Sequence, residues 1–421
     1  MNATGLHNGC DRLMLGFDYE LRRRGFAGNS CQISIELSAP VKPALLEKKL
    51  RDVIALQPVL CSRPSRTFPG LKPYWKPTAW IPLVRVHQST PGIFQQIFNQ
   101  PLDSSRGELF RFDLVDKTVV LTWSHALMDA KSAEYFLALL GSDESFPSET
   151  SPDWFAERGM RPGSLRARIR TAWRELIRMD VFRKALPVSL ATQRPPAGRE
   201  LNFISATFSK EDSGQINLHA NLHGGFLANS TFHLAATLLE LHALHLRLQC
   251  PSASYVVPIP VGLRPKGTRA PLFSNQVAMM LHQFLPEQLD SMPHAVAAVK
   301  EHSAESLRDN ALDSGIALAQ LFRCFPLPVY MRLIKQQLRG EICSLFFGDV
   351  GATDPALQTF FGARIESATH IPAVTVPPGL AVAFYRFHEQ LSFTVVYAKG
   401  TLNSDDAKVF VDRLRERLLH P

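Results

Sequence analysis

The sequence predicts an α+β protein built from two similar lobes, on three observations. The chain has 421 residues, more than one typical domain holds. Strand-like and helix-like segments are mixed in both halves, without the regular βαβ alternation of a parallel sheet. A Pro/Gly cluster, Gln193-Arg194-Pro195-Pro196-Ala197-Gly198, lies near the middle and is the best linker. On this reading residues 1–194 form an N-terminal lobe and 195–421 a C-terminal lobe.

Each element follows from hydrophobic spacing. Residues 32–37 alternate and read as a strand. Residues 43–56 read as a helix, with Leu46, Leu50, Val53 and Ile54 on one face and Pro43 suited to its first turn. Residues 58–66 end that helix and turn the chain. Two strands follow at 109–115 and 118–123, turning at Asp116-Lys117. Residues 132–140 are apolar at helical spacing. Residues 164–186 read as one long basic helix with Ser164 as N-cap and Leu165, Ile169, Trp173, Leu176 and Ile177 as its core-facing side. Residues 201–208 resume as a strand. The second half continues with a helix over 230–248 and strands over 254–259 and 277–284, with a helical turn at Met279-Met280-Leu281 as the lesser alternative. Residues 293–308 read as a helix and 380–387 and 391–397 as adjacent strands. A last helix carries Ala407, Phe410, Val411, Leu414 and Leu418 on one face. Asp405 and Asp406 at its start and Arg413, Arg415 and Arg417 near its end suit the helix dipole.

Composition narrows the function. Hydrophobic residues make up 45% and charged residues 20%, which permits a large core. No run approaches a membrane-spanning helix, and residues 1–18 lack a signal-peptide pattern, so a cytoplasmic protein is expected. The six cysteines show no CxxC spacing or zinc-ligand cluster, so scattered thiols and no metal site are expected. The net charge of +8 invites an anionic partner. Without a lysine-rich tract interleaved with aromatics, nucleic acid is not expected. There is no GxGxxG, no GxxxxGK[ST] and no HExxH. There is no GxSxG either, so His223-Gly224-Gly225 has no nucleophile to serve and reads as a loop.

The segment Val119-Val120-Leu121-Thr122-Trp123-Ser124-His125-Ala126-Leu127-Met128-Asp129 carries the chemistry. A bare HxxxD arises easily by chance, and His7 to Asp11 is a second match that reads as noise. His125 differs in context: it leaves a segment that reads as an interior strand and precedes a helix, where a side chain can be held rigidly at the rim of a cleft. Histidine titrates near neutrality and suits proton abstraction. The plainer alternative is a hydrogen-bonded strand-end histidine followed by a helix-capping aspartate.

This segment resembles the HHxxxDG motif of the chloramphenicol-acetyltransferase-like superfamily, which includes peptide-synthetase condensation domains and wax ester synthase/diacylglycerol acyltransferases. The resemblance runs in order along most of the chain. Leu56-Gln57-Pro58-Val59-Leu60-Cys61-Ser62-Arg63 is similar to an "RHPxLR" helix exit, Pro73-Tyr74-Trp75 to a "PLW" element and Gly107 to Arg111 to "PLFR". Ala228-Asn229-Ser230 through Ala236 resembles "VNDVVLAA", Val257 to Arg264 "PVSLR", and Ser274-Asn275-Gln276-Val277 "GNQV". Ser344 to Val350 sits where "SNVPG" would be.

The resemblance implies two α/β sandwich lobes with a tunnel between them and no permanently bound cofactor or metal. It implies an acyltransferase, with O-acylation by a free-standing enzyme favoured. The co-substrate would be a coenzyme A or phosphopantetheine thioester, and the acceptor a hydroxyl or amine on a small molecule or lipid. His125 becomes the general base and Asp129 a structural partner of an arginine. Ser124, Asn275 and Gly348 become tunnel candidates, and a carrier protein becomes a candidate partner.

Several positions depart from the pattern. Ser124 replaces the first histidine, Ala130 the closing glycine, Cys61 the "LR" arginine, Ser274 the glycine of "GN" and Ser230 the aspartate of "ND". Arg63 and Arg264 are both open as the partner of Asp129. These departures also motivate an alternative, a non-catalytic binding module that docks a carrier protein or lipid. The arginines around residues 164–186, namely Arg158, Arg161, Arg166, Arg168, Arg170, Arg174 and Arg178, suggest attraction to an anionic membrane or a phosphate, the plainer alternative being a solvated face.

Overall fold

The computed structural model describes residues 5–67, 72–142, 144, 146, 153–160, 163–225 and 229–421. Arg161 and Ala228 lie outside the described residues. The first half runs α1 (Gly9–Arg22), β1 (Ser30–Leu37), α2 (Pro43–Leu56), β2 (Ser62–Ser65), β3 (Tyr74–Pro77), β4 (Val84–His87), α3 (Ile93–Phe98), β5 (Phe110–Val115), β6 (Thr118–Ser124), α4 (Ala130–Leu140), α5 (Trp154–Met160), α6 (Leu165–Asp180) and α7 (Leu190–Gln193). The second half runs β7 (Leu201–Thr207), α8 (Lys210–Gly224), α9 (Asn229–Arg247), β8 (Tyr255–Gly262), β9 (Val277–Phe284), α10 (Met292–Arg308), α11 (Ala311–Phe322), α12 (Leu327–Gln337), β10 (Phe346–Ala352), β11 (Thr359–Phe360), β12 (Ala363–Ile371), β13 (Leu380–Phe387), β14 (Gln390–Ala398) and α13 (Ser404–Leu419).

Two sheets organise the molecule. One has the order β11-β12-β1-β6-β5-β4, and the other β10-β13-β14-β7. In the first, β6 is central, antiparallel to β1 on one side and β5 on the other. Ile33, Ile35 and Leu37 of β1 alternate onto one face and are fully buried. Each such aliphatic side chain contributes about 1.5–3 kcal/mol on burial. α2 covers that sheet with Leu46, Leu50 and Val53, spaced at helical intervals. The second sheet buries Val382, Phe393 and Val395 against Phe410 and Leu414 of α13. Strands β11 and β12 come from the second half of the chain, and β12 pairs with β1 in the first sheet, matching Gln32 to Ile371. The antiparallel pair β8-β9 forms a separate two-stranded sheet, tied to the segment before β10 by Ser344 N–H donating to the Val256 carbonyl at 2.7 Å, and its long connection, residues 263–276, reaches the end of β6.

The strand expected over 277–284 is observed as β9, which pairs with β8 along its whole length, residues 279–281 included. Three local expectations are corrected. His223-Gly224-Gly225 is not a free loop. α8 runs through His223 and Gly224, and Gly225 ends it at φ 82°, a conformation that glycine adopts without strain. The long basic helix stops at Asp180, and Val181–Lys184 form a tighter 3₁₀ turn. Its orientation is also reversed. Ala172, Glu175 and Met179 are buried, whereas Leu165, Ile169, Trp173 and Ile177 face solvent. The inward face is stabilised by a matched charge. Arg178 Nε donates to Glu175 Oε2 at 3.0 Å, Ser314 Oγ of α11 donates to the same oxygen at 2.9 Å, and Arg178 Nη1 donates to the Leu281 carbonyl at 3.1 Å. Met179 packs with Phe182, Val256 and Leu338. No helix among the described residues is long and apolar enough to cross a membrane.

Candidate active site

The site forms where the central strand ends. Every residue of β6 from Val119 to Ser124 is buried, so the strand direction is fixed before the turn begins. His125 N–H donates to the Asn29 carbonyl at 2.9 Å, just before β1. Leu127 N–H closes the turn on the Ser124 carbonyl at 2.9 Å, and Trp123 Nε1 donates to the Met128 carbonyl at 3.0 Å. From the other side, Asn275 Nδ2 donates to the His125 carbonyl at 2.8 Å. The backbone of His125 is therefore held on both sides.

Asp129 follows as the N-cap of α4, accepting from Ser132 N–H at 2.9 Å. It also anchors the β8-β9 connection. Arg264 Nη1 donates to its Oδ1 at 3.0 Å and Oδ2 at 2.8 Å, and Gln276 N–H donates to Oδ2 at 2.9 Å. Arg264 also donates to the Ser132 hydroxyl and, at 2.8 Å, to the Pro271 carbonyl. Between the two candidate arginines, the partner of Asp129 is thus Arg264, while Arg63 sits exposed on β2 opposite Lys76. Burial works against ionisation of Asp129. The charge of Arg264 and the amides of Gln276 and Ser132 outweigh it and hold the carboxyl below its usual range.

Asn275 is fully buried, and both its N–H and its Nδ2 donate to Asp11 Oδ1, at 2.8 and 2.9 Å. Asp11 itself sits in a reciprocal cap with Asn8 at the start of α1. Burial, with the nearby charge of Asp153, pushes the Asp11 carboxyl up to about 8 against the opposing hydrogen bonds from Asn275 and Asn8. Sequence reasoning missed this residue, because it belonged to the HxxxD match set aside as noise. His7 of that match is buried against Trp75, ring centroids 4.3 Å apart, and does not line the cavity that His125 faces. The available signal was the capping-box spacing of Asn8 and Asp11 ahead of the buried Met14 and Leu15.

A cavity of about 580 Å³ opens at this point. His125, Asp129, Asn275 and Gly348 all line it, together with apolar groups such as Met14, Met279 and Val382. Ser124 is buried and does not line the cavity, so it is not a wall residue. A Cβ added at Gly348 would have Ala383 Cβ as its nearest neighbour, at 3.9 Å, so the glycine leaves room rather than relieving a clash. Lys266 is exposed and lines the cavity. His125 is half-buried. Its Nδ1 is buried without a well-aligned hydrogen bond, and the residue lines the cavity. Burial lowers its pKa, partly opposed by its own carbonyl, the Asp129 charge and Asn275, so the ring is neutral at neutral pH. A neutral imidazole at the wall of a largely apolar cavity can accept a proton from a bound hydroxyl or amine. Among the described residues, no group of three or more His, Cys, Asp or Glu side chains is arranged to hold a metal ion.

Three of the departures from the family pattern find local explanations. Ala130 is the first residue of α4, in ordinary helical conformation, so no glycine is required there. Ser274 Oγ accepts hydrogen bonds from Asn8 Nδ2 and Gln276 Nε2, both at 3.0 Å. Cys61 is buried and its carbonyl accepts from Thr78 N–H at 2.8 Å, while Arg264 takes the arginine's place at Asp129.

No family model matches the chain. No curated protein is similar to it in sequence. Solved structures are similar along its whole length. A first condensation domain of the calcium-dependent antibiotic synthetase superposes with a TM-score of 0.72 at 17% identity, covering 100% of this chain and 97% of that one. The trichothecene 15-O-acetyltransferase of Fusarium sporotrichioides gives 0.68 at 12%, covering 99% and 97%. Polyketide synthase associated protein 5 of Mycobacterium tuberculosis gives 0.65 at 13%, covering 99% and 97%. At such identities the likeness shows the fold.

Proposed function

From the chloramphenicol-acetyltransferase-like fold that this chain shares with condensation domains and an acetyltransferase, we propose that it is an acyltransferase with His125 as general base. The acyl group passes from a thioester to a hydroxyl or amine, O-acylation being favoured. The single observation that carries this reading is the neutral, half-buried His125 ring on the wall of the cavity, its backbone fixed by Asn29 and Asn275. His125 takes the proton of the acceptor as its oxygen or nitrogen bonds to the thioester carbonyl carbon. The C–S bond then breaks, and the imidazolium returns the proton to the leaving thiolate. Asp129 is a positioning residue: its carboxylate ties the turn bearing His125 to the β8-β9 connection that bears Asn275. Asn275 and Gly348 belong to the cavity wall, whereas Ser124 does not reach it. The exposed Lys266 is suitably placed to attract a phosphate of coenzyme A or of a carrier's phosphopantetheine. We take residues 1–194 and 195–421 as the two lobes, with strands β11 and β12 lent across to the first sheet.

Mass spectrometry of small molecules that copurify with the protein would identify acyl donor and acceptor candidates. Thiol release from a panel of acyl-coenzyme A and carrier-bound thioesters, with alcohols and amines as acceptors, tests the reading. His125→Ala should lower turnover about 10²–10⁴-fold, the usual worth of a positioned base. A non-catalytic module predicts binding of thioester or carrier with equal, background thiol release from wild type and variant.

A further inference from the structure

The outward face of α6 carries an apolar ridge with no partner among the described residues. Leu165, Ile169, Trp173 and Ile177, continued by Val181 in the following turn, are 58%, 48%, 61%, 60% and 53% exposed. They recur every fourth residue, so each advances only about 40° around the axis and together they form one slowly winding stripe. Sixteen residue steps at the helical rise make the stripe about 24 Å long. This face is not an accident of loose packing. The opposite face is locked inward by the Glu175–Arg178–Ser314 network and by Met179.

The charges beside the stripe are ordered as well. Arg166, Arg170 and Arg174 each follow a stripe residue by one position, about 100° further round, so they form a row along one flank. All three are exposed. The acidic residues of the helix do not compete: Glu175 is buried and paired with Arg178, and Asp180 pairs with Arg183 at 3.0 Å. A convex ridge with a tryptophan at its middle and guanidinium groups along its side matches a bilayer interface. Apolar side chains there enter the acyl boundary, while cations meet anionic headgroups, with no shape-complementary groove required.

We propose that α6 docks the protein on an anionic lipid surface, with Leu165, Ile169, Trp173 and Ile177 inserted and Arg166, Arg170 and Arg174 at the headgroups. The proposal does not rest on the chemistry assigned to His125. It differs from a purely electrostatic contact because the apolar stripe takes part.

Cosedimentation of the full chain with large unilamellar vesicles tests it. One set is phosphatidylcholine and the other contains about one-third phosphatidylglycerol. Wild type should bind the anionic set far better. Arg166→Glu/Arg170→Glu/Arg174→Glu should weaken that binding by about a hundredfold or more at low salt, given the usual worth of each basic residue near such a surface, and the difference should shrink as salt rises. Ile169→Ser/Trp173→Ser/Ile177→Ser should weaken it at every salt concentration. All six side chains are exposed, so circular dichroism and melting should match wild type. His125→Ala should bind as wild type does, which separates this proposal from the catalytic one. Equal binding to both vesicle sets, or full binding by the serine variant, would overturn the proposal. So would a dimer in lipid-free solution that the serine variant dissociates, because the ridge would then belong to a second copy.

Discussion

Removing the Asp129 carboxylate tests the architecture of the site most directly. Asp129→Ala deletes both Arg264 contacts, at 2.8 and 3.0 Å, and the acceptors for Ser132 N–H and Gln276 N–H at 2.9 Å. The two side chains are only 4% and 10% exposed, so the guanidinium would be left largely out of water and unpaired. Breaking a buried pair in this way costs about 3–5 kcal/mol, and the lost cap falls within that range rather than adding to it. For a chain of 421 residues the unfolding entropy is about 0.9 kcal/mol/K, so a cooperative melt should shift down by about 3–6 °C. Turnover should fall too, because the β8-β9 connection that holds Asn275 loses its anchor. A thermal melt of Asp129→Ala, Arg264→Met and the double variant isolates the pair. The double variant should recover much of the loss, since it leaves no unpaired buried charge. Simple additivity of the two single variants would refute the pairing as the source of stability. The pH dependence has a definite sign. The folded carboxyl titrates below its usual range, so its contribution is present above about pH 4 and is lost as pH falls through the depressed value. The excess acid sensitivity of wild type over Asp129→Asn should therefore appear only below about pH 4.

Other predictions follow from the same geometry. Because burial lowers the His125 pKa below its ordinary 6.5, the active neutral form predominates at pH 7, and the acid limb of kcat/KM should have its midpoint below pH 6.5; a midpoint above 7 would contradict the burial of the ring. Gly348→Leu should fold normally, since the nearest atom to its Cβ lies at 3.9 Å. It should raise KM for the substrate that occupies that side of the cavity, and unchanged kinetics with the largest accepted substrate would show that Gly348 is not on the path. Residues 194–200 are free of helix and strand and mostly exposed, so brief proteolysis should cut between Ala191 and Glu200. The hydrogen bond from Ala197 N–H to the Lys399 carbonyl should slow that cut, and first cleavage elsewhere would argue against a division of the chain here.

The boundaries of α2, β6, β9, β14 and α13 were legible in the sequence to within a residue or two, because each presents a clear periodic apolar face or alternation. The turn at His125 was legible for the same reason, since a strongly apolar strand must stop where a polar turn begins. α1 was not legible. Its buried polar positions Asp11, Arg12 and Glu20 take partners distant in sequence, at Asn275, Phe325 and Lys335. Position 9 has to be glycine because a Cβ there would lie 2.7 Å from the Ala319 backbone, a constraint that exists only once α11 is packed against it. α6 was read with the wrong face inward. Spacing identifies an amphipathic helix but not which face the fold covers, and here a buried Glu175 satisfied by Arg178 and Ser314 outweighed an aliphatic stripe.

The sequence by itself determined where the candidate base stands, at the end of an apolar strand and four residues before a helix-capping aspartate. Local physics decides both, because strand burial and N-capping depend on neighbours in the chain. Tertiary structure alone decided which arginine completes the pair. Arg264 lies 135 positions from Asp129, and only the folding of the β8-β9 connection onto β6 brings the two together. The same long-range packing placed Asp11 behind Asn275 and left the ridge of α6 in water. Periodicity in a sequence records what a segment can bury, and the assembled chain decides what it does bury.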